Sequence, residues 1–255
     1  MNSLKGRVRH NFDRGALHYQ EYSAAQQALA ATLLERCGAA LPTSGIILDV
    51  GAGDGVLGRL ATTPMVAVDL SFAMCQRSQA YYRHVLQGDA EALPFCGGSV
   101  AAVVSSAMVQ WLEEPVIFFN EVARVLAPHG VAALAVLVEG TLREVGDARR
   151  EALTQCGLPV AAATPLPSVA TLDASIMQSG LAIEHSSDWE GFTWHPSPRE
   201  ALHALSHAGV TATRDGYHGN KRFYHAFMQC YAALFPAGKI FHRYVAKIYR
   251  LKKAS

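Results

Sequence analysis

From residue 46 onward the chain switches repeatedly between short runs of consecutive apolar residues and longer stretches where apolar residues recur every three or four positions. The short runs predict buried strands and the longer stretches predict helices packed on them. Strands are expected at 46–50, 65–69, from 85, at 100–105, 131–138 and 181–185, with 188–194 continuing as an edge strand and 239–250 as a terminal strand. Helices are expected at 22–38, stopped by Gly38, at 56–61, from Ser71, at 118–126, 171–179, from the Ser197 cap to His207, and at 221–234. Such alternation implies an α/β fold with a mostly parallel sheet covered on both faces. Residues 1–40 read as an N-terminal helical cap. Between the strands at 131–138 and 181–185 lie about 40 residues, longer than an ordinary connection. The part at 140–167 is read as a lid over the ligand side of the sheet.

Chemistry concentrates where the first strand ends, at Ile46-Ile-Leu-Asp-Val-Gly-Ala-Gly-Asp-Gly55. Gly51, Gly53 and Gly55 allow a sharp turn and close approach of a ligand. The helix that follows points its first amides at the same place. Gly53-Asp-Gly-Val-Leu-Gly58 satisfies the dinucleotide pattern G-x-G-x-x-G. A pyrophosphate there would meet the carboxylates of Asp49 and Asp54, which repel it. S-adenosylmethionine has no phosphate and carries an ammonium and a sulfonium, so the same acids favour it. Asp69, 18 residues after Gly51, stands where a strand-end acid takes a ribose diol. Asp89 can accept from an adenine amino group, with Leu93, Pro94 and Phe95 as a dry wall. The fourth strand delivers Ser105 and the segment to Trp111 at its carboxyl end, where ligands of open α/β sheets collect.

The blocks LDVGAGDG, VAVDLS, GDAEALPF, SSAMVQW and EVARVLAPHGVAAL, in that order, resemble the S-adenosylmethionine-dependent methyltransferases with a Rossmann-like core. More narrowly, Phe12-Asp-Arg-Gly-Ala-Leu-His-Tyr19, Val109-Gln-Trp111, Val136 to Glu144 and Gly209-Val-Thr-Ala-Thr resemble the malonyl-acyl-carrier-protein O-methyltransferases of biotin biosynthesis. Gly15 and Ser106 depart from that pattern, which has alanine and asparagine. The resemblance implies a seven-stranded sheet with its last strand antiparallel, forming a single methyltransferase domain over 1–255. It implies a cofactor set of Asp49, Gly51, Ala52, Gly53, Gly55, Asp69, Leu70, Asp89, Ala90 and Ser105. The reaction would be methylation of the free carboxylate of malonyl-acyl-carrier protein. That carboxylate is already ionised near neutral pH and needs alignment and desolvation rather than a base. Tyr19 and Gln110 are the candidate donors to it, with Arg14 or Arg143 as a charged clamp. Other small-molecule carboxyl or hydroxyl methyltransferases, and a non-methylating assembly factor of mitochondrial complex I, share parts of the pattern.

Composition narrows the partners. A net charge of +1 argues against a nucleic-acid scaffold. An acidic carrier protein would need basic residues gathered locally, and Arg143, Arg149, Arg150, Lys221, Arg222, Arg243 and Lys247 are the candidates. The five cysteines include no C-x-x-C and the eleven histidines have no metal-ligand spacing, so no metal site is expected. No run of about 18 apolar residues and no apolar signal core occurs, which points to a cytoplasmic enzyme.

Overall fold

The computed structural model describes residues 3–160, 166–207, 221–236 and 238–253. Five strands run parallel: β1 (Ile47–Val50), β2 (Val66–Asp69), β3 (His84–Gln87), β4 (Val100–Ser106) and β5 (Leu126–Leu137). β6 (Leu181–His195) and β7 (Ile240–Lys253) complete a seven-stranded sheet of order β3-β2-β1-β4-β5-β7-β6. β7 is antiparallel to both neighbours, as the terminal strand was expected to be. The expected strand at 181–185 and edge strand at 188–194 are one strand, with an irregularity between Ile183 and His185.

Successive residues of a strand face opposite sides, and the two faces carry different cores. One holds Leu48, Val50, Val68, Val103, Leu134 and Val136 under Phe118, Phe119, Val122, Leu172 and Ile176. These last five lie on α6 (Pro115–Val125) and α8 (Val169–Gln178). The other face holds Ile47, Ala67, Ala102, Val104, Ala133 and Ala135 under Ala25, Leu29, Leu33 and Leu57. Its small residues let α3 (Ala24–Cys37) and α4 (Val56–Leu60) pack close to the sheet. Full burial of these branched and aromatic side chains stabilises the layers by about 1.5–3 kcal/mol each.

The N-terminal cap differs in detail from its expectation. The helix expected over 22–38 is α3, ended by Gly38 as its C-cap, and a separate single turn, α2 (Tyr19–Tyr22), precedes it across a break at Ser23. Ahead of them lies α1 (Leu4–Gly15), capped by Ser3, whose hydroxyl accepts from the Gly6 amide. α1 crosses to the carboxyl edge of the sheet. There Asp13 accepts from the Ser71 hydroxyl at 2.5 Å, and Phe12 meets Trp111 edge-on at 5.6 Å. Ser71 begins α5 (Phe72–Ser78), its Oγ accepting from Met74 N. Asp13 therefore ties the cap to a helix start 58 residues away.

The region read as a lid contains α7 (Arg143–Cys156). Its Ala148 and Ala152 pack with Ala201 of α9 (Pro198–His207), Phe227 and Tyr231 of α10 (Lys221–Ala233), and Ile240 of β7. Residues 161–165 of that region, and the motif at 209–213, lie outside the described residues. The Ser197 cap is present, accepting from Glu200 N at 3.2 Å. No helix among the described residues is long and apolar enough to cross a membrane.

Candidate functional site

One deep cavity opens at the carboxyl ends of β1, β2, β3 and β4. Its floor is the glycine turn, Gly51 to Asp54, and its far wall is Asp69, Leu70 and Ser71. Gly51 has φ 76°, and a Cβ there would collide with Met108 Cγ, so only glycine passes. Gly53, at φ 55°, has nothing within 4 Å of where a Cβ would stand, and that open space is the cavity.

Asp69 organises the site. Its Oδ2 accepts from Gly53 N and its Oδ1 from Ser71 N, both at 2.8 Å. One carboxylate thus fixes the glycine turn of β1 and the start of α5 while keeping lone pairs for a ligand. Burial is the main cause that raises its pKa, to about 6, against the downward pull of those amides. Asp54 is buried beside it and paired with Arg59 at 3.2 Å.

α1 forms the roof, contributing Lys5, Val8, Arg9 and Phe12. Lys5 Nζ lies 2.6 Å from Asp89 Oδ2 and also meets Glu91. Asp89 Oδ1 accepts from Glu91 N at 3.0 Å. The remaining wall is Tyr19, Ser23, Gln26 and Gln27 on one side and Ser106, Ala107, Met108 and Trp111 on the other.

Of the expected cofactor residues, Gly51, Ala52, Gly53, Asp69, Leu70, Asp89 and Ala90 line this cavity, whereas Asp49, Gly55 and Ser105 do not. Asp49 has the parity of Ile47, which faces the α3 and α4 side. Its Oδ2 accepts from the Tyr82 hydroxyl at 2.5 Å. Burial is the largest cause that raises its pKa, to about 7. Ser105 donates to Val50 O at 2.6 Å, pinning β4 to β1, and its neighbour Ser106 faces the cavity. At Gly55 a Cβ would press on Tyr81 and Ser78, so this glycine serves packing.

Of the four acceptor candidates, Tyr19 lines the cavity and Gln110, Arg14 and Arg143 do not. Gln110 is buried and donates to Ala107 O at 2.6 Å. Arg14 is exposed on the outer side of α1, and Arg143 is exposed on α7, paired with Asp147. Sequence reasoning missed the α1 residues. The signal was Leu4, Val8 and Phe12, apolar at every fourth position in an otherwise polar segment.

Residues 48–134 match a family model described as a methyltransferase domain. The malonyl-[acyl-carrier protein] O-methyltransferase of Marinomonas sp. is 30% identical over 226 residues, 82% of this chain and 78% of the relative. The chain belongs to the malonyl-[acyl-carrier protein] O-methyltransferase family. The family member from Geobacter sulfurreducens is 35% identical over 157 residues, 58% of this chain and 59% of that one. The match there is confined to less than two thirds of either protein. The solved geranyl diphosphate C-methyltransferase of Streptomyces coelicolor, in complex with S-adenosyl-L-homocysteine, shares the fold. It aligns with a TM-score of 0.52 at 14% identity, over 89% of this chain and 76% of that one.

The cavity of this family member fits S-adenosylmethionine on its own chemistry. Asp54, Asp69, Asp89 and Glu91 give a lining rich in carboxylates, suited to a ligand with ammonium and sulfonium charges and hostile to a pyrophosphate. Two further acceptors are ready: Gln26 Oε1 and Ser106 Oγ are buried with no hydrogen-bond partner among the described residues. Asp69 would take the ribose hydroxyls, Leu70 and Ala90 would flank the base, and Asp89 would face its amino group. The wild-type chain presents no group of three or more metal-ligating residues among those described.

Proposed function

We propose that the protein transfers a methyl group from S-adenosylmethionine to the free carboxylate of a malonyl group held as a thioester on acyl-carrier protein. The product is the malonyl methyl ester, made early in biotin biosynthesis. Membership of a family whose relatives carry that activity in their names supports the reading. The observation that carries it in the structure is the placement of Tyr19 in the same cavity as the Asp69 loop.

The cofactor supplies an electrophilic methyl on sulfur, and the protein's share is to hold the acceptor in line and dry. Tyr19 is half-buried, and burial, then the charges of Asp54 and Asp69, push its phenol upward. It therefore stays protonated and donates to a carboxylate without neutralising it. Arg9 stands at the exposed rim of the cavity, where a cation attracts the incoming anion. Val8, Phe12, Met108 and Trp111 exclude water from that approach.

The basic residues considered for carrier docking are largely paired. Arg143 and Arg150 both meet Asp147, Arg243 meets Glu190, and Lys247 meets Asp188. Lys221 and Arg222 are exposed at the start of α10. Mass spectrometry of malonyl-acyl-carrier protein after incubation with enzyme and cofactor tests the proposal. A gain of one methyl group on the malonyl moiety, sensitive to esterase, is expected. An unmodified malonyl group with methyl transfer to another acceptor would overturn the substrate while leaving the methyltransferase reading intact.

A further inference from the structure

Gln26 is a buried residue that lines the ligand cavity, and its carboxamide oxygen is unpartnered among the described residues. It is 9% exposed and lines the same space as the glycine turn. Burying an amide oxygen unpaired costs about 1–3 kcal/mol, a cost that a ligand donor reaching into the cavity would offset.

The place of Gln26 says which part of that ligand it meets. Asp69 and Asp89 lie at the ends of β2 and β3, toward one edge of the sheet, and they fit the ribose and the base. Gln26 lies in the first turn of α3, which packs over β4 and β5 on the opposite side of β1. Ala25 and Leu29 share a core cluster with Ala52 of the glycine turn, and Gln26 lines the same cavity as Gly51 and Gly53. A nucleoside seated on Asp69 directs its remaining substituent across the glycine turn, toward Gln26 and Ser106.

We infer that Gln26 recognises the amino-acid end of S-adenosylmethionine, its carboxamide oxygen accepting from the α-ammonium. An ammonium is all donor and answers an unpaired acceptor, whereas the malonyl carboxylate is all acceptor and leaves Oε1 as it is. Asp54, buried in the adjoining turn, adds negative charge to the same end of the cavity. This inference rests on the cofactor assigned under the proposed function and is independent of the acceptor.

Calorimetry on the full chain with three ligands tests it. These are S-adenosylhomocysteine, its analogue lacking only the α-amino group, and 5′-methylthioadenosine, which lacks the whole amino-acid end. For Gln26→Leu, S-adenosylhomocysteine should weaken on the order of 10- to 100-fold, the loss of one hydrogen bond to a charged group. The other two ligands should bind as they do to wild type. Gln26→Glu keeps the acceptor and should retain S-adenosylhomocysteine with comparable or higher affinity. The inference is overturned if Gln26→Leu weakens all three ligands alike or none of them, or if Gln26→Glu loses S-adenosylhomocysteine as Gln26→Leu does. It is equally overturned if wild type binds the deaminated analogue as tightly as the parent, a result that needs no variant to fold. Failure of wild type to bind S-adenosylhomocysteine at all would instead remove the cofactor assignment.

Discussion

Two clusters of buried polar side chains lie in this molecule, one around the glycine turn and one between α7, α10 and β7. In the first, Asp69 has both carboxylate oxygens bonded to backbone amides and Asp54 is paired with Arg59, and all of it borders open space. In the second, Tyr231 and His242 are fully enclosed. Phe227 stacks on Tyr231 at 5.8 Å, Phe235 meets it edge-on at 5.4 Å, and His195 lies 4.4 Å from His242. The Tyr231 hydroxyl and both His242 nitrogens have no hydrogen-bond partner among the described residues. Polar groups that are anchored and still open are arranged for binding. Polar groups sealed among rings contribute through the bulk of the ring and lose by their heteroatoms.

If that contrast holds, Tyr231→Ala should produce the largest change, a loss of about 3–5 kcal/mol of stability for an emptied aromatic site. Tyr231→Phe should be neutral or stabilising, because it removes a buried hydroxyl with no partner. Denaturant unfolding of the two variants checks both, and a Phe variant as damaged as the Ala variant would break the comparison. Asp69→Ala should lose about 2–3 kcal/mol of S-adenosylmethionine binding, measured by calorimetry, on top of the stability lost when Gly53 N and Ser71 N are left without their acceptor.

The third effect depends on pH. Burial first, then the neighbouring His195, lowers the His242 pKa to about 3, with Tyr231 and Tyr244 as the other rings against it. The unfolded chain takes up a proton near 6.5 while the folded chain does not, so stability is complete above about 6.5 and falls as pH drops toward 3. At pH 5 the deficit is about 2 kcal/mol. Thermal melts of His242→Phe should gain on wild type by that amount between pH 7.5 and pH 5. Asp69 titrates in the contrary direction, since its raised pKa penalises the folded state as pH climbs from about 4 to about 6. The smallest loss expected is at Tyr19. Tyr19→Phe should lower kcat/KM for the malonyl thioester about tenfold, or about 1.4 kcal/mol, with cofactor affinity unchanged in calorimetry.

The first cluster was legible in the sequence because its chemistry is local. Glycines and acids crowd into ten residues at 46–55, and Asp69 follows at the end of the next strand. Strand parity was legible too and was overlooked at Asp49, which alternates with Leu48 and Val50 and so faces Tyr82 rather than the cavity. The roof was harder to read. α1 is placed by Asp13 with Ser71, Lys5 with Asp89, and Phe12 with Trp111, pairs 58, 84 and 99 residues apart. Charged residues in such a helix look like a solvated face until their partners are known. The second cluster gave no signal in the motifs, because Tyr231 and His242 meet through tertiary packing of a helix on a strand.

The place of β7 in the sheet has a consequence for synthesis on the ribosome. β5 and β6 are not paired to each other: β5, paired with β4 on one side, finds its other neighbour in residues 240–253, and β6 pairs with that same segment alone among the described strands. While the chain emerges, β1 to β5 can assemble in order, but the free side of β5 and the whole of β6 stay unsatisfied until the last strand is released and threads between them. The nascent protein therefore carries two open edges, the hazard that invites pairing with other chains. Loss of residues 240–253 would not trim one strand from a margin. It would split the sheet and cast β6 adrift.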